Sequence, residues 1–187
     1  MKTLIRLLTL TSLLTLGGCV PSLQPYYVDK DVAFDSTLLG TWIGDEGKDT
    51  WEFTKHGERG YTLRYTNNEG RQGRFVVYRF RLAGNNLLDL YPEEPEPQAD
   101  DFYKHHLLRL HTFLLVLQSE PTARVTTFEP DWLLQFLANN PAALQHQRVA
   151  ERLILTASTL ELQKFMLAHL KTPGAFGKPD ELIRKKV

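Results

Sequence analysis

Three imidazoles fall close together at His105, His106 and His111. Joined by His146 or Asp131 from elsewhere, they could close a tetrahedral metal site of the kind that activates water for hydrolysis. Their spacing matches no metal signature, so a metal-dependent hydrolase ranks last among the functions considered. Glu93, Glu94, Glu96, Asp100 and Asp101 offer hard oxygen ligands that would suit calcium. Prolines interrupt that run and the EF-hand spacing is missing, so the stretch reads as an exposed loop. Asp89, in Asp89-Leu90-Tyr91-Pro92, either points into a pocket or closes a strand. His169 falls near the apolar side of a C-terminal helix, where a hydrogen-bonded core or rim histidine is expected. No serine stands in a Gly-x-Ser-x-Gly turn and no glycine-rich loop opens a helix to cradle phosphate. The one cysteine is Cys19. The sequence supplies no catalytic set and implies no cofactor.

Cys19 is better understood from what precedes it. Lys2 and Arg6 lead into a leucine-rich run from Leu7 to Leu16 that is too short to span a bilayer, and Leu16-Gly17-Gly18-Cys19 follows. This segment resembles the lipobox of bacterial lipoprotein precursors. The resemblance implies that residues 1–18 are removed as a signal peptide and that Cys19 becomes a lipidated N-terminus. An Ala-x-Ala cleavage site, the mark of an ordinary secretory signal, is absent. A lone cysteine in an oxidising compartment has no partner within the chain, which also favours modification. Several acyl chains on one residue, each buried methylene contributing about 0.8 kcal/mol, make a lasting anchor. Val20 stands where an aspartate would direct retention in the inner membrane. The expected place is therefore the outer membrane, facing the periplasm.

With residues 1–18 gone, the basic count falls from 22 to 20 against 22 acidic residues. No basic stripe marks a nucleic-acid surface. Arg184-Lys185-Lys186 reads as a short solvated tail. No second apolar stretch is long enough to span a bilayer. The chain divides into a signal at 1–18, a lipidated cysteine and linker at 19–31, and a single domain at 32–187. Pro21 and Pro25 keep the linker out of helix, and the Tyr26-Tyr27 pair within it is placed to dock on the domain.

The body predicts a mainly β fold with two helices near its C-terminus. Short aromatic and β-branched runs recur between turn residues, giving strands at 40–43, 50–54, 61–66, 74–82, 87–91, 107–118 and 123–128. Trp51 and Phe53 alternate with Thr50, Glu52 and Thr54, and Tyr61, Leu63 and Tyr65 with Thr62, Arg64 and Thr66, so one face of these strands is wet. Asn67-Asn68-Glu69-Gly70 and Gly84-Asn85-Asn86 supply the positive φ that tight hairpins need. Glu129-Pro130-Asp131 starts a helix that ends at Asn139-Asn140-Pro141 and presents Trp132, Leu133, Phe136 and Leu137 to the core. A last strand at 153–156 precedes a second helix, opened by the Ser158/Glu161 capping box, with Leu162, Phe165, Met166 and Leu170 along one side.

Phe34-Asp35, Leu38-Leu39-Gly40-Thr41-Trp42 and Trp51-Glu52-Phe53 together resemble the opening of lipocalin-like barrels. The resemblance implies an antiparallel meander closed into a small barrel, with Gly40 turning the chain and Trp42 plugging one end. In that family an arginine from a late strand packs over the tryptophan, and Arg152 or Arg124 would serve here. The leading functional expectation is a membrane-anchored binding module, its apolar ligand or short peptide held among Trp51, Phe53, Tyr61, Tyr65, Tyr78 and Phe80. Narrowly behind it stands an envelope interaction or assembly protein with a packed barrel, whose partner is another envelope component.

Overall fold

The computed structural model describes residues 19–44, 47, 49–94, 100–119, 122–150 and 152–186. The signal at 1–18 and Glu96 lie outside them. Five strands follow one another as an antiparallel meander: β1 (Gly40–Ile43), β2 (Thr50–His56), β3 (Gly60–Thr66), β4 (Gln72–Leu82) and β5 (Asn85–Pro92). One helical turn, α1 (Asp101–Lys104), separates them from β6 (Thr112–Gln118) and β7 (Thr122–Thr126). The helix α2 (Pro130–Asn139) comes next, followed by a hairpin of β8 (His146–Val149) and β9 (Arg152–Leu155) that stands apart from the main sheet. Then come α3 (Thr159–His169) and β10 (Asp180–Arg184). β10 pairs with β7 on one side and β1 on the other, closing an eight-stranded antiparallel barrel.

Local chemistry explains the turns and helix starts. Ala83 and Gly84 both take positive φ between β4 and β5, the geometry of a tight hairpin, and the Asn85 side-chain amide donates to the Leu82 carbonyl. Asn67 Oδ1 accepts from the amides of Glu69 and Arg71, and Gly70 takes positive φ. Pro130 occupies the first turn of α2, where its missing N–H costs nothing. Ser158 and Glu161 cap α3 reciprocally, and the hydrogen bonds from Ser158 hold the Glu161 carboxyl below its ordinary pKa.

Two cores share the middle of one sheet. Inside the barrel, cross-strand partners Phe53 and Leu63, and Tyr61 and Val77, meet Trp42, Leu88, Leu114, Val125 and Leu182. Outside it, Phe80, Leu87, Phe113 and Leu115 pack against Leu133, Leu137, Leu155, Leu162, Phe165 and Met166. β5 and β6 are therefore covered on both faces, and Leu87-Leu88 and Phe113-Leu114-Leu115 are buried without alternation. β3, with one wet face, keeps the alternation its sequence shows.

Several expected elements move. The strand at 153–156 does not join the barrel; β9 pairs with β8, which has no counterpart in the sequence reading. The closing strand is β10, assigned above to a solvated tail at its Arg184 end. Its charged side chains hide the pattern, because only Leu182 of the five residues is buried. The strand expected from Leu107 begins at Thr112, and α1, capped by the Asp100 carboxylate, was not foreseen.

The segment expected as a linker is part of the second core. Val20, Ser22 and Tyr26 are buried. Ser22 exchanges both backbone hydrogen bonds with His111, at 2.8 and 2.9 Å, while Leu23 N–H donates to Leu155 O and Leu155 N–H to Pro21 O. The docking expected of Tyr26 and Tyr27 is present: Tyr26 packs on Phe113 and Tyr27 on Tyr78.

Candidate functional site

The six candidate ligand-lining residues divide by strand parity. Trp51 and Phe53 line the barrel interior, and Tyr61 and Tyr65 lie on the same face, paired with Val77 and Gly73 of β4 and with Lys55 and Trp51 of β2. Tyr78 and Phe80 occupy the opposite face of β4, where both rings meet Tyr27 at a tilt and Phe80 belongs to the outer core, so they line no interior space. A period of two fixes this, because Val77 and Arg79 take the inward positions between them.

The end of the barrel near β1 is closed by the lipocalin-like opening itself. Trp42 is almost fully buried, and its indole N–H donates to Leu38 O at 2.9 Å within the short 3-10 turn Ser36–Leu38. Neither Arg152 nor Arg124 covers it. The Arg184 guanidinium lies 4.3 Å from the Trp42 ring centre and donates to Leu39 O at 2.8 Å and to Thr37 O. Gly40 takes φ +114°, and a Cβ there would meet Arg184 Nη1 at 3.1 Å. The glycine thus makes room for the arginine that seals the tryptophan.

A polar network completes this end. The Tyr61 hydroxyl accepts from Asp35 N–H at 2.6 Å and donates to Asp35 O at 3.0 Å, while Phe34 stacks on the Tyr61 ring. Arg79, inward and nearly buried, donates to Asn86 Oδ1 at 2.8 Å and to Ala33 O at 3.3 Å, with the Asp35 carboxylate 3.5 Å away. Hydrogen bonding from the Thr37 hydroxyl and amide, with Arg79 and Arg81 adding positive charge, outweighs desolvation and holds the Asp35 carboxyl below its ordinary pKa. Neither Tyr61 nor Arg79 is left waiting for a ligand.

The space these residues leave is small. The interior cavity, lined by Trp42, Trp51, Phe53, Leu114, Val125 and Leu182 among others, has a volume of ≈ 30 Å³. A single water needs roughly 10–15 Å³ by this measure, so the space holds about two or three waters. Across the strand pair from Trp42, its register partner Trp51 meets Tyr65 edge to face, and the Trp51 indole N–H donates to Asp49 Oδ2 at 2.8 Å.

The histidines do not converge. His105 caps α1, His106 Nδ1–H donates to Phe102 O at 2.8 Å, and His146 Nδ1–H to Leu144 O at 2.8 Å. Among the described residues no three His, Cys, Asp or Glu side chains are grouped to hold a metal ion. The acidic stretch is also locally committed: Glu93 pairs with Arg74, Glu94 with Arg109, and Asp101 with Lys104. His169 sits among Trp132, Phe136 and Phe165, and burial pushes its pKa down.

His111 has a structural partner that the spacing of histidines did not suggest. Its Nδ1–H donates to Asp89 Oδ1 at 2.7 Å, and the other oxygen of Asp89, which is 1 % exposed, accepts from Tyr26 N–H at 2.8 Å. Asp89 points out of the barrel into the second core, and clasps the segment that follows Cys19. Gln163 and Thr159 of α3 complete the clasp by donating to Tyr26 O and Pro25 O at 2.9 and 2.7 Å. A polar residue inside Leu87-Leu88-Asp89-Leu90 was the available signal. Cys19 itself is exposed, and crowding by neighbouring atoms, with repulsion from Asp180 behind it, raises its thiol pKa. That disfavours the thiolate, the nucleophilic form.

Fold and site together define a closed eight-stranded antiparallel barrel with an outer helical layer. Comparison with family models, curated proteins and solved structures finds no match to this chain. The structure itself shows a closed antiparallel barrel with helices and the Gly40, Trp42 and Arg184 closure at one end.

Proposed function

We propose that this chain is a lipid-anchored envelope protein that works through its outer surface, with the barrel as a packed scaffold. The observation that carries this reading is the ≈ 30 Å³ interior. Pockets that enclose a small organic ligand measure roughly 300–1,000 Å³, an order of magnitude more. That difference favours the interaction protein over the internal-ligand module. Cys19 is the acylated residue in this reading, and Val20 at the following position favours the periplasmic face of the outer membrane. The support for the anchor is the lipobox-like sequence together with an exposed cysteine immediately before a buried residue.

Native mass spectrometry after mild detergent extraction tests the reading. The expected result is one species carrying acyl groups on Cys19 and no other bound mass. A stoichiometric second, lipid-like mass that releases on unfolding would return the barrel to the role of carrier. Crosslinking in intact envelopes is expected to recover a specific neighbour; failure to find one would count against an interaction role.

A further inference from the structure

We propose that the seam between β1 and β10 is a latched opening, held shut by Arg184, which parts while the rest of the barrel stays folded and gives the interior a side entrance beside Trp42. Among the described residues two register pairs join these strands, Trp42 with Arg184 and Ile43 with Ile183, and Lys185 N–H adds a bond to Thr41 O at 2.9 Å. By contrast β2 and β3 are paired from Thr50 to His56, and β4 and β5 from Phe75 to Leu82. Side chains do not make up the difference. Leu182 is the one buried residue of β10, and Ile183 is 56 % exposed. The interior cavity reaches the same place, with Trp42, Leu182, Ala123 and Val125 in its lining. Parting the strands there breaks few ladder bonds and bares little apolar surface, the marks of a region that opens locally.

The grip across this seam comes largely from one side chain. Arg184 stands on β10, yet its guanidinium lies 4.3 Å from the Trp42 ring centre and donates to Leu39 O and Thr37 O, all on the β1 side. Gly40 keeps the place open for it, because a Cβ there would stand 3.1 Å from Arg184 Nη1. Withdrawing the guanidinium removes the ring contact and both carbonyl bonds together. β10 itself stays attached, since Asp180 to Ile183 remain paired with Val125 to Thr122 of β7. The latch requires neither the acyl group nor a bound partner.

Alternation along antiparallel strands distinguishes a parting seam from a fraying strand. Lys185 N–H points to β1, so the Ile183 amide does too, whereas the Leu182 amide points to β7. On β1, the Ile43 amide faces β10 and the Trp42 amide faces β2. Opening at the seam frees the amides of Ile43, Ile183 and Lys185 and leaves those of Trp42 and Leu182 bonded.

Hydrogen exchange resolved to single amides, on the full chain in mild detergent, tests the latch. Ile43, Ile183 and Lys185 should exchange at one common rate, at least about 100-fold faster than the amides of β4 and β5. Trp42 and Leu182 should lag well behind them. Low urea should hardly change the three rates while it speeds β4 and β5, because a small opening exposes little surface. Rates at the seam equal to those of β4 and β5 overturn the proposal, and so does an equal urea dependence. Leu182 exchanging together with Lys185 also overturns it, since the whole strand would then be leaving. These comparisons need only the unsubstituted chain. Arg184→Gln should speed the three seam amides about tenfold, the effect of losing a ring contact and hydrogen bonds that exist only in the closed state. Acceleration of β4 and β5 with the seam amides unmoved would show that the guanidinium keeps its hold when the strands part, and would remove Arg184 as the latch.

Discussion

The two cores of this protein are built from the same strands and differ in what they do with polar groups. Inside the barrel, Arg79, Asp35 and Tyr61 gather at one end and are satisfied by one another and by nearby backbone. In the outer core a single carboxylate, Asp89, holds the chain segment that leads away from Cys19. The interior network closes one end of the barrel, whereas the outer one fastens the segment that follows Cys19. The contrast teaches that the second layer serves to fix that N-terminal segment as well as to cover the sheet.

The strongest way to break that contrast is to empty each core in turn. Trp42→Ala and Phe113→Ala should each cost about 3–5 kcal/mol of stability, the usual loss for a large buried aromatic. Because β5 and β6 belong to both cores, urea unfolding of either variant should remain one transition by fluorescence and circular dichroism. Two separate transitions for Phe113→Ala would make the layers independent units.

Asp89→Asn sharpens the comparison from the outer side. It removes the buried charge that accepts from both Tyr26 N–H and His111, and an expected loss of about 1–3 kcal/mol follows. Hydrogen exchange should accelerate at residues 20–28 more than in β2 and β3. Uniform acceleration across the barrel would show that Asp89 supports the whole fold and is not a clasp.

On the interior side, Arg184→Gln should cost about 1–2 kcal/mol by removing the ring contact with Trp42 and bonds to the Leu39 and Thr37 carbonyls. Near-ultraviolet circular dichroism of the tryptophans should change, while Arg124→Gln and Arg152→Gln leave it as it was. The smallest effect is expected of Tyr26→Phe. The Tyr26 hydroxyl is buried beside the Ser22 side chain, whose Oγ–H is committed to Gln24 O, and makes no well-formed hydrogen bond of its own, while burial pushes its pKa well above the ordinary tyrosine range. Deleting it should change stability by less than about 1 kcal/mol, or raise it, because an unpaired polar group is lost from the core. A large loss in thermal denaturation would show that the hydroxyl carries a bond in solution.

Much of the fold was legible. Alternation in β2 and β3, the turn residues between strands, Pro130 and the Ser158/Glu161 box each act over a few residues, so the chain carries their signals locally. β10 was not legible, because a short charged strand is stabilised by its two neighbours and not by its own pattern. The candidate site was legible only in part. Trp51, Phe53, Tyr61 and Tyr65 were assigned to the interior face, but Tyr78 and Phe80 belong to the other side of β4, and aromatic character alone does not reveal a strand's parity.

From its sequence alone this protein declares a β meander, a Gly40-x-Trp42 opening, two C-terminal helices and an acylation-like signal at Cys19, all of them patterns written within short windows. Tertiary structure alone decided which arginine covers Trp42, that the interior is filled, and that the segment after Cys19 is clasped to Asp89 and His111. Those outcomes depend on contacts between residues 22 to 147 positions apart, and on the volume left when every side chain has been placed. Neither quantity is carried by any neighbourhood of the chain.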